Sequence, residues 1–379
     1  MTSGSTALER CVGEPESFLA EHFGRHALWR RQSADAFADL FGPADADHLV
    51  TSAGLRTPAM RLVRNGAGIP SSGWTRSARI GGVAMPGIVD PRAVLREFDG
   101  GATVVLQGLH RFWPPLRRFC RELEEALGHP CQVNAYLTPA GAQGLALHDD
   151  SHDVFVLQSF GTKGWEVHAA DPEPWELVLE PGDMLYMPAG TPHAARAQAG
   201  VSGHLTIGVL STSWRSYLDA AVRRALDDPV FAAPLPAGWH HDPDRFAAEL
   251  RDHLDLLVDR MAKTDDVGTA IDQADGFLRT RHPVLIGGFA SRLQLDRLSD
   301  ETVVRVAPGA IAEIRRRETD LVLLIGDAEL RMPGWVDPAV RLVVDGADHR
   351  VADLAVIDHQ SRLVLVRRLV REGVLEIVA

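Results

Sequence analysis

The sequence is poor in cysteine and has no long apolar run. Its three cysteines, Cys11, Cys120 and Cys131, are odd in number and far apart, so neither a disulfide framework nor paired cysteine metal ligands are expected. The chain has no run of about 18 apolar residues that would predict a membrane-spanning helix. No apolar segment typical of a signal peptide follows the N-terminus. We therefore expect a cytoplasmic protein with reduced thiols and no membrane partner.

Lysine is almost absent. Of the 39 basic residues, only Lys163 and Lys263 are lysines. Because the chain uses arginine for nearly every other cation, a retained lysine is a candidate for a chemical role. The formal net charge of -12 argues against DNA, RNA or an anionic membrane as the main partner. It would suit a basic protein or peptide, although an acidic surface also simply favours solubility.

The length of 379 residues indicates two or three domains. Helical patterns occur early, at 17–23 and 33–41, and the second is predicted to end at Gly42-Pro43. Further predicted elements are short strands at 60–63 and 102–106 and a helix at 116–127 that Gly128 ends.

Between Cys131 and about Trp214 the helical period disappears. Short strand-like runs separated by turns replace it, at 133–137, 145–150, 154–160, 164–169, 177–180, 184–187 and 204–210. Many short strands at this density predict a sandwich, a jelly roll or a barrel.

After Trp214 the helical period returns, at 217–226, 245–261 and 267–279. The final region mixes short strands and helices. Its end reads as helix, helix and strand, at 351–354, 360–373 and 374–378, which indicates a winged-helix-like module.

His148 and Asp150 are the first candidate metal ligands. Two residues apart in a strand, they would point to the same side. An imidazole and a carboxylate side by side provide two of the three ligands of a facial triad, which is typical of non-haem Fe(II) oxygenases. The alternative is a loop histidine and an exposed aspartate, and His152 and Asp153 could substitute by the same alternation.

His193 is the candidate third ligand. It follows two predicted turns, at Pro181-Gly182 and at Pro188 to Gly190, which would hold the end of a strand in a fixed geometry. Taken alone, it could instead be a turn histidine satisfied by the backbone. His204, in an apolar strand, is an alternative ligand or a hydrogen-bonded core histidine.

Lys163 is the candidate cation of the site. A 2-oxoglutarate oxygenase needs a cation for the distal carboxylate of its cosubstrate while the 2-oxo acid end binds iron. Lys163 follows the predicted core strand after the metal motif, in a chain that rarely uses lysine. The alternative is a solvated lysine in a turn.

Polar residues on neighbouring strands are candidate cosubstrate-binding residues. Asn134 and Tyr136 share one face of a strand and could form hydrogen bonds inside a pocket. The alternative is a strand edge with polar tips in solvent. Thr206 is included with them. Trp165 and Trp175 are interpreted as core residues.

Several other functional classes lack their motifs. The sequence contains no P-loop, no dinucleotide-binding glycine motif after a strand and no nucleophile elbow. The arginine groups 315–317 and 367–368 are interpreted as solvated helix faces, so we expect no direct DNA binding.

Together these motifs resemble the JmjC-domain ribosomal oxygenases. The resemblance is carried by Val133 to Pro139, His148 to Gln158, Gly161 to Trp165, and Pro181 to His193, in that order and spacing. This family consists of Fe(II)- and 2-oxoglutarate-dependent hydroxylases of the cupin superfamily. More loosely, Asp353-Leu354 together with 363–373 is similar to the C-terminal winged-helix-like domain of family members.

The resemblance implies a mainly β catalytic domain, a cupin-like double-stranded β-helix (jelly roll), with helical additions and a winged-helix-like α+β domain. The expected domains are 1–215 (catalytic), 216–283 (helical and dimerising) and 284–379 (winged-helix-like). A homodimer is implied as well.

The resemblance also implies the roles of individual residues. His148, Asp150 and His193 would bind iron, Lys163 would bind 2-oxoglutarate, and Asn134 and Tyr136 would line the pocket. With O2, 2-oxoglutarate would be converted to succinate as a C–H bond is hydroxylated. The expected substrate is an Arg or His side chain of a protein or peptide, with a basic ribosomal protein as one candidate.

Other functions stay open. The chain could be a 2-oxoglutarate oxygenase that acts on a biosynthetic peptide or a small molecule. It could also be a metal-dependent cupin without oxygenase chemistry, such as an isomerase, or a ligand-sensing regulator. The acidic charge slightly favours a basic protein substrate.

Overall fold

The computed structural model describes residues 6–142, 146–263 and 266–378. The helices are α1 (Ala7–Val12), α2 (Pro15–Glu21), α3 (Pro43–Thr51), α4 (Pro91–Asp99), α5 (Pro114–Leu127), α6 (Trp214–Leu226), α7 (Pro243–Ala262), α8 (Asp266–Arg279), α9 (Gly288–Gln294), α10 (Asp337–Val343) and α11 (His359–Arg371).

Among the residues just given, the strands form five antiparallel sheets. In chain order they are β1 (Leu28–Arg30), β2 (Met60–Arg64), β3 (Ala67–Ile69), β4 (Thr75–Ile80), β5 (Val83–Val89), β6 (Thr103–Leu106), β7 (Cys131–Thr138), β8 (Asp153–Phe160), β9 (Lys163–Val167), β10 (Trp175–Leu179), β11 (Met184–Met187), β12 (His193–Ala197), β13 (Ser202–Val209), β14 (Val303–Val306), β15 (Glu313–Arg317), β16 (Asp320–Leu324), β17 (Glu329–Pro333), β18 (His349–Arg350) and β19 (Leu375–Ile377).

An eight-stranded sheet in the order β1-β11-β8-β13-β7-β6-β2-β3 is the main structural element. Strand β7 explains its two faces, because alternate residues point to opposite sides. Cys131, Val133 and Ala135 belong to the large apolar core, which also includes Leu116 and Leu123 of the amphipathic helix α5. The other face of the sheet carries the polar residues of β7.

A three-stranded sheet, β10-β9-β12, covers that second face. A separate core cluster contains Val156 and Leu185 from the large sheet together with Trp165, Val167 and Leu179 from the small one. Two antiparallel sheets packed face to face form a double-stranded β-helix, so the predicted jelly-roll fold class is confirmed.

Two local predictions are wrong. The segment 33–41 forms turns, and Gly42-Pro43 begins α3 instead of ending a helix, since proline fits the first helical position, where its missing N–H has no helical partner. The predicted strand at 145–150 is absent from 146–150, where only an isolated bridge forms, while residues 143–145 lie outside the described residues.

The chain forms two compact units. The first comprises 1–211, 283–310 and 338–379, and the second comprises 212–282 and 311–337. Within the first unit, a small sheet in the order β18-β14-β19 follows the jelly roll in sequence and packs with α9 and α11. The division into three consecutive domains, 1–215, 216–283 and 284–379, stays a prediction, as does the winged helix.

The second unit contains α6 to α8 and the sheet β15-β16-β17. Arg315 to Arg317 lie in β15 and not in a helix, which corrects the interpretation made from sequence. Arg315 forms an ion pair at 2.9 Å with the buried Asp275 of α8. Among the described residues, no helix has the length and apolar character that crossing a membrane requires.

Candidate metal centre

The structure brings His148, Asp150 and His193 together. One potential ligand atom from each lies within 4.8 Å of the other two, and His193 Nε2 is 3.8 Å from Asp150 Oδ2. His193 is the first residue of β12, whereas His148 and Asp150 precede β8 in an irregular segment. Within the described parts of the chain this is the only such group of three.

Backbone hydrogen bonds hold the irregular segment in place, so the ligands converge without the predicted strand. The His148 N–H donates to the His193 carbonyl at 3.1 Å, and the His193 N–H donates back at 2.7 Å. The Gly190 N–H donates to the Asp150 carbonyl at 2.8 Å. The second predicted turn thus contributes directly, because Gly190 belongs to it.

Both imidazole rings are oriented for metal binding. His148 Nδ1 lies 2.8 Å from the Ala146 carbonyl oxygen, and His193 Nδ1 lies 2.9 Å from the Thr191 carbonyl oxygen. Since a carbonyl only accepts hydrogen bonds, each Nδ1 carries the proton and each Nε2 keeps a lone pair. Two imidazole nitrogens and one carboxylate fit a divalent metal of the facial-triad type.

Burial lowers the pKa of His193, and the neighbouring His148 lowers it further, against the opposing effect of Asp150. A neutral imidazole is the form that binds metal, so this environment favours ligation.

The alternative ligands have other positions. Asp153 is buried and accepts hydrogen bonds from the Tyr186 hydroxyl at 2.6 Å and from the Ala189 N–H at 2.9 Å. It therefore fixes the turn before His193 and is not part of the triad. The ring of His152 occupies the space beside Gly208, where a Cβ at residue 208 would lie 2.4 Å from Nε2.

A cavity of about 250 Å³ lies between the two sheets and includes the triad. Apart from the three candidate ligands, its lining consists of Arg61, Tyr136, Val154, Val156, Lys163, Trp165, Met187, Ala195, His204 and Thr206. Polar groups in a partly apolar cavity are typical of a small-molecule site.

Lys163 belongs to this cavity and is not a solvated turn residue. Only 2% of it is exposed, and its Nζ donates to Thr138 Oγ1 at 3.0 Å. Burial lowers its pKa to about 7. An anion beside Nζ would offset the cost of burying the ammonium group, so this position suits a carboxylate.

Tyr136 and His204 form one wall of the cavity. They are paired across β7 and β13, and their rings stack at 5.0 Å between centroids. Arg61 lies in the same cross-strand row, two strands from Tyr136, and its guanidinium partly opposes the rise that burial causes in the pKa of Tyr136. His204 is 4% exposed and lies outside the group of three ligands.

The remaining two candidate cosubstrate-binding residues, Thr206 and Asn134, differ in whether they line the cavity. Thr206 lines the cavity, and it pairs with Asn134 across the sheet. Asn134 shares the face of Tyr136, but it is not among the lining residues, and its carboxamide oxygen accepts from the Gly108 N–H at 3.1 Å. The predicted binding role of Asn134 therefore has no supporting contact here.

Sequence reasoning missed Arg61 and underrated Trp165. Trp165 is buried in the second core, as expected, but it also lines the cavity and its ring centroid lies 6.0 Å from that of His193. Alternation from Lys163 in β9 could have revealed it. Arg61 gave a weaker signal, because the strand that contains it is short.

Comparisons with known proteins agree with this geometry. The JmjC domain family matches residues 108–175 and 170–217. Human ribosomal oxygenase 1 is 29% identical over 311 residues, which cover 72% of this chain and 47% of that protein. A Dictyostelium discoideum protein described as a bifunctional lysine-specific demethylase and histidyl-hydroxylase NO66 is 26% identical over 373 residues, covering 91% of this chain and 67% of that protein.

The chain spans about half the length of the human and rat ribosomal oxygenase 1 proteins, at 47% and 50%. Its fold matches that of YcfD, a ribosomal oxygenase from Escherichia coli solved in complex with cobalt and 2-oxoglutarate. That match has a TM-score of 0.53 and 16% identity, and it covers 97% of this chain and 99% of the other. These matches show that the chain contains a JmjC domain within residues 108–217 and that it is similar to the JmjC-domain ribosomal oxygenases.

Proposed function

We propose that this chain is an Fe(II)- and 2-oxoglutarate-dependent oxygenase that hydroxylates an amino-acid side chain of a protein or peptide. The observation that carries the proposal is the pairing, within one cavity, of a His-Asp-His triad with a buried lysine. The triad matches the ligand preference of non-haem iron, and a single buried cation matches one end of a dicarboxylate.

Each residue has a distinct role in this proposal. His148, Asp150 and His193 hold the metal, and the backbone carbonyls at their Nδ1 atoms fix both rings. Lys163 binds the distal carboxylate of 2-oxoglutarate, which orients the 2-oxo acid end towards the triad. Bound Fe(II), 2-oxoglutarate and O2 would supply the oxidising chemistry for a substrate C–H bond.

The proposed substrate is an Arg or His side chain, with a basic ribosomal protein as the favoured source. The names of the relatives support this choice, since they include ribosomal oxygenases and a histidyl-hydroxylase. The net charge of -12 is complementary to a basic partner.

We propose that the protein is a homodimer that uses its second unit. Helices α6 and α7 contain no buried residue. On α7, Leu250, Leu254 and Val258 are spaced four residues apart and are 46%, 47% and 65% exposed. An apolar stripe of this kind favours packing against another helix surface. Sedimentation would test it, because Leu254→Glu should convert a dimer to a monomer, and a wild-type monomer would contradict the proposal.

The activity is tested by incubating the protein with Fe(II), 2-oxoglutarate, O2 and isolated ribosomal proteins. We expect succinate formation and a mass increase of one oxygen atom on one peptide, both lost in Asp150→Ala. Mass spectrometry of the fragments then identifies the residue. Metal binding without any turnover of 2-oxoglutarate would contradict the proposal and favour a metal-dependent cupin or a ligand sensor, whereas turnover only with small molecules or biosynthetic peptides would change the substrate class.

A further inference from the structure

Two buried polar atoms of residues that line the cavity have no hydrogen-bond partner among the described residues. They are the indole Nε1 of Trp165 and the ring nitrogen Nδ1 of His204. Trp165 is 5% exposed and His204 is 4% exposed, so water does not readily satisfy either atom. Buried polar groups normally have partners, and both side chains line the cavity.

The positions of these residues point to a shared ligand. Lys163 and Trp165 are alternate residues of β9 and therefore project from the same face. His204 lies on β13, and its ring is nearly perpendicular to the indole, with 5.4 Å between the two centroids. The imidazole also stacks on the ring of Tyr136, which fixes the plane of the imidazole.

His204 is suited to be a neutral donor. Burial lowers its pKa well below the usual value, and the nearby Lys163 lowers it further. The ring therefore has one N–H and one lone pair at neutral pH, and it adds no positive charge to those of Lys163 and Arg61, which also line the cavity. The Trp165 indole can only donate.

We propose that the Nε1–H of Trp165 and an Nδ1–H of His204 donate hydrogen bonds to the carboxylate that Lys163 binds. The inference rests on the proposed function, since the ligand is the distal carboxylate of 2-oxoglutarate. A lysine ammonium is a point charge and gives little orientation on its own, so two fixed neutral donors would orient the carboxylate. They would also select against 2-oxo acids whose far end is apolar.

The direct test observes the indole N–H groups. The protein, labelled with 15N-tryptophan and loaded with Zn²⁺ to prevent oxidation, is titrated with 2-oxoglutarate. We expect the Trp165 resonance, assigned by its loss in Trp165→Phe, to move downfield as its hydrogen bond forms. The matched control is Trp175, whose Nε1 already donates to Asp171 at 2.6 Å, and its resonance should stay in place.

Binding measurements give an independent result. Trp165→Phe and His204→Phe each keep an aromatic ring and remove a donor. Each should weaken 2-oxoglutarate binding by about 10- to 100-fold, the range for a hydrogen bond to a charged group. Binding of 2-oxopentanoate, which lacks the distal carboxylate, should change by less than about twofold, and Trp175→Phe should affect neither ligand.

The outcomes separate the two proposals. An unchanged Trp165 resonance, or equal losses for both ligands, would overturn the donor roles while 2-oxoglutarate still binds the wild-type protein. If 2-oxoglutarate does not bind the metal-loaded wild-type protein, the proposed function fails and the donor assignment fails with it.

Discussion

The two ends of the cavity are built in different ways. The triad end combines an irregular segment with the first residue of β12, and backbone hydrogen bonds at 2.7–3.1 Å hold them together. The lysine end, formed by Lys163, Trp165 and His204, uses regular strand positions on β9 and β13, and each of these three residues is at most 5% exposed. The difference indicates that the positions of the triad side chains depend on the hydrogen bonds of a loop. The positions of Lys163, Trp165 and His204 depend on burial within regular strands.

Removing a triad ligand should have the largest effect. His193→Ala leaves two ligands, so we expect Fe(II) affinity to fall by more than about 100-fold, which exceeds the usual effect of changes outside the ligand shell. Calorimetry with Mn²⁺ would measure this loss. His152→Ala is the matched control, since that neighbouring histidine lies outside the triad, and an equal loss there would contradict the assignment.

Replacing Lys163 should weaken the binding of 2-oxoglutarate and leave the binding of the metal intact. Lys163→Ala removes the partner of a buried carboxylate, so we expect 2-oxoglutarate affinity to fall by roughly 30- to 1,000-fold. Mn²⁺ affinity, measured without cosubstrate, should change by less than about threefold. A parallel loss of both affinities would mean that the two ends are not separate in function.

The pH dependence of cosubstrate binding should identify Lys163. Its pKa of about 7 in the free protein leaves it largely neutral at pH 8, whereas a bound carboxylate favours the ammonium form. Binding above pH 7 should therefore take up a proton, and affinity should fall as pH rises, by up to about tenfold per unit. Calorimetry in buffers of different ionisation enthalpy measures this uptake.

Lys163→Arg is the control for that prediction. Its guanidinium stays charged, so the proton uptake should disappear. Persistence of the same uptake in Lys163→Arg would assign the proton to another group.

Removing one hydrogen bond that holds Asp153 in place should have the smallest effect. Tyr186→Phe removes the hydroxyl that donates to the buried Asp153, while the bond from Ala189 remains. We expect the free energy of unfolding to fall by about 1–3 kcal/mol and metal affinity to change by less than tenfold. Urea unfolding measures the first quantity, and Tyr217→Phe on α6 is the control. Unchanged stability would show that the hydrogen bond from Tyr186 to Asp153 does not stabilise the fold.

The sequence predicted the regular parts of the site better than the irregular ones. Alternation in β7 correctly placed Tyr136 on the cavity face, and proline and glycine correctly bounded α5. The triad was found by residue type and spacing, but the expected strand through His148 does not form. Its geometry depends on hydrogen bonds to His193, 45 residues later, which no local pattern encodes.

Long-range pairing also explains the residues that sequence reasoning missed. Arg61 reaches the cavity only because β2 pairs with β6 and β6 with β7. Asn134 has the right alternation, yet its contact with Gly108 is set by a loop of the tertiary structure.

The most direct test is an anaerobic titration of Fe(II) and then 2-oxoglutarate, followed by visible absorbance. The account predicts a metal-to-cosubstrate charge-transfer band in the wild-type protein, its absence in His148→Ala, and a much higher half-saturating 2-oxoglutarate concentration in Lys163→Ala. Metal binding without a band in the wild-type protein would contradict the claim that both ends of the cavity hold one cosubstrate.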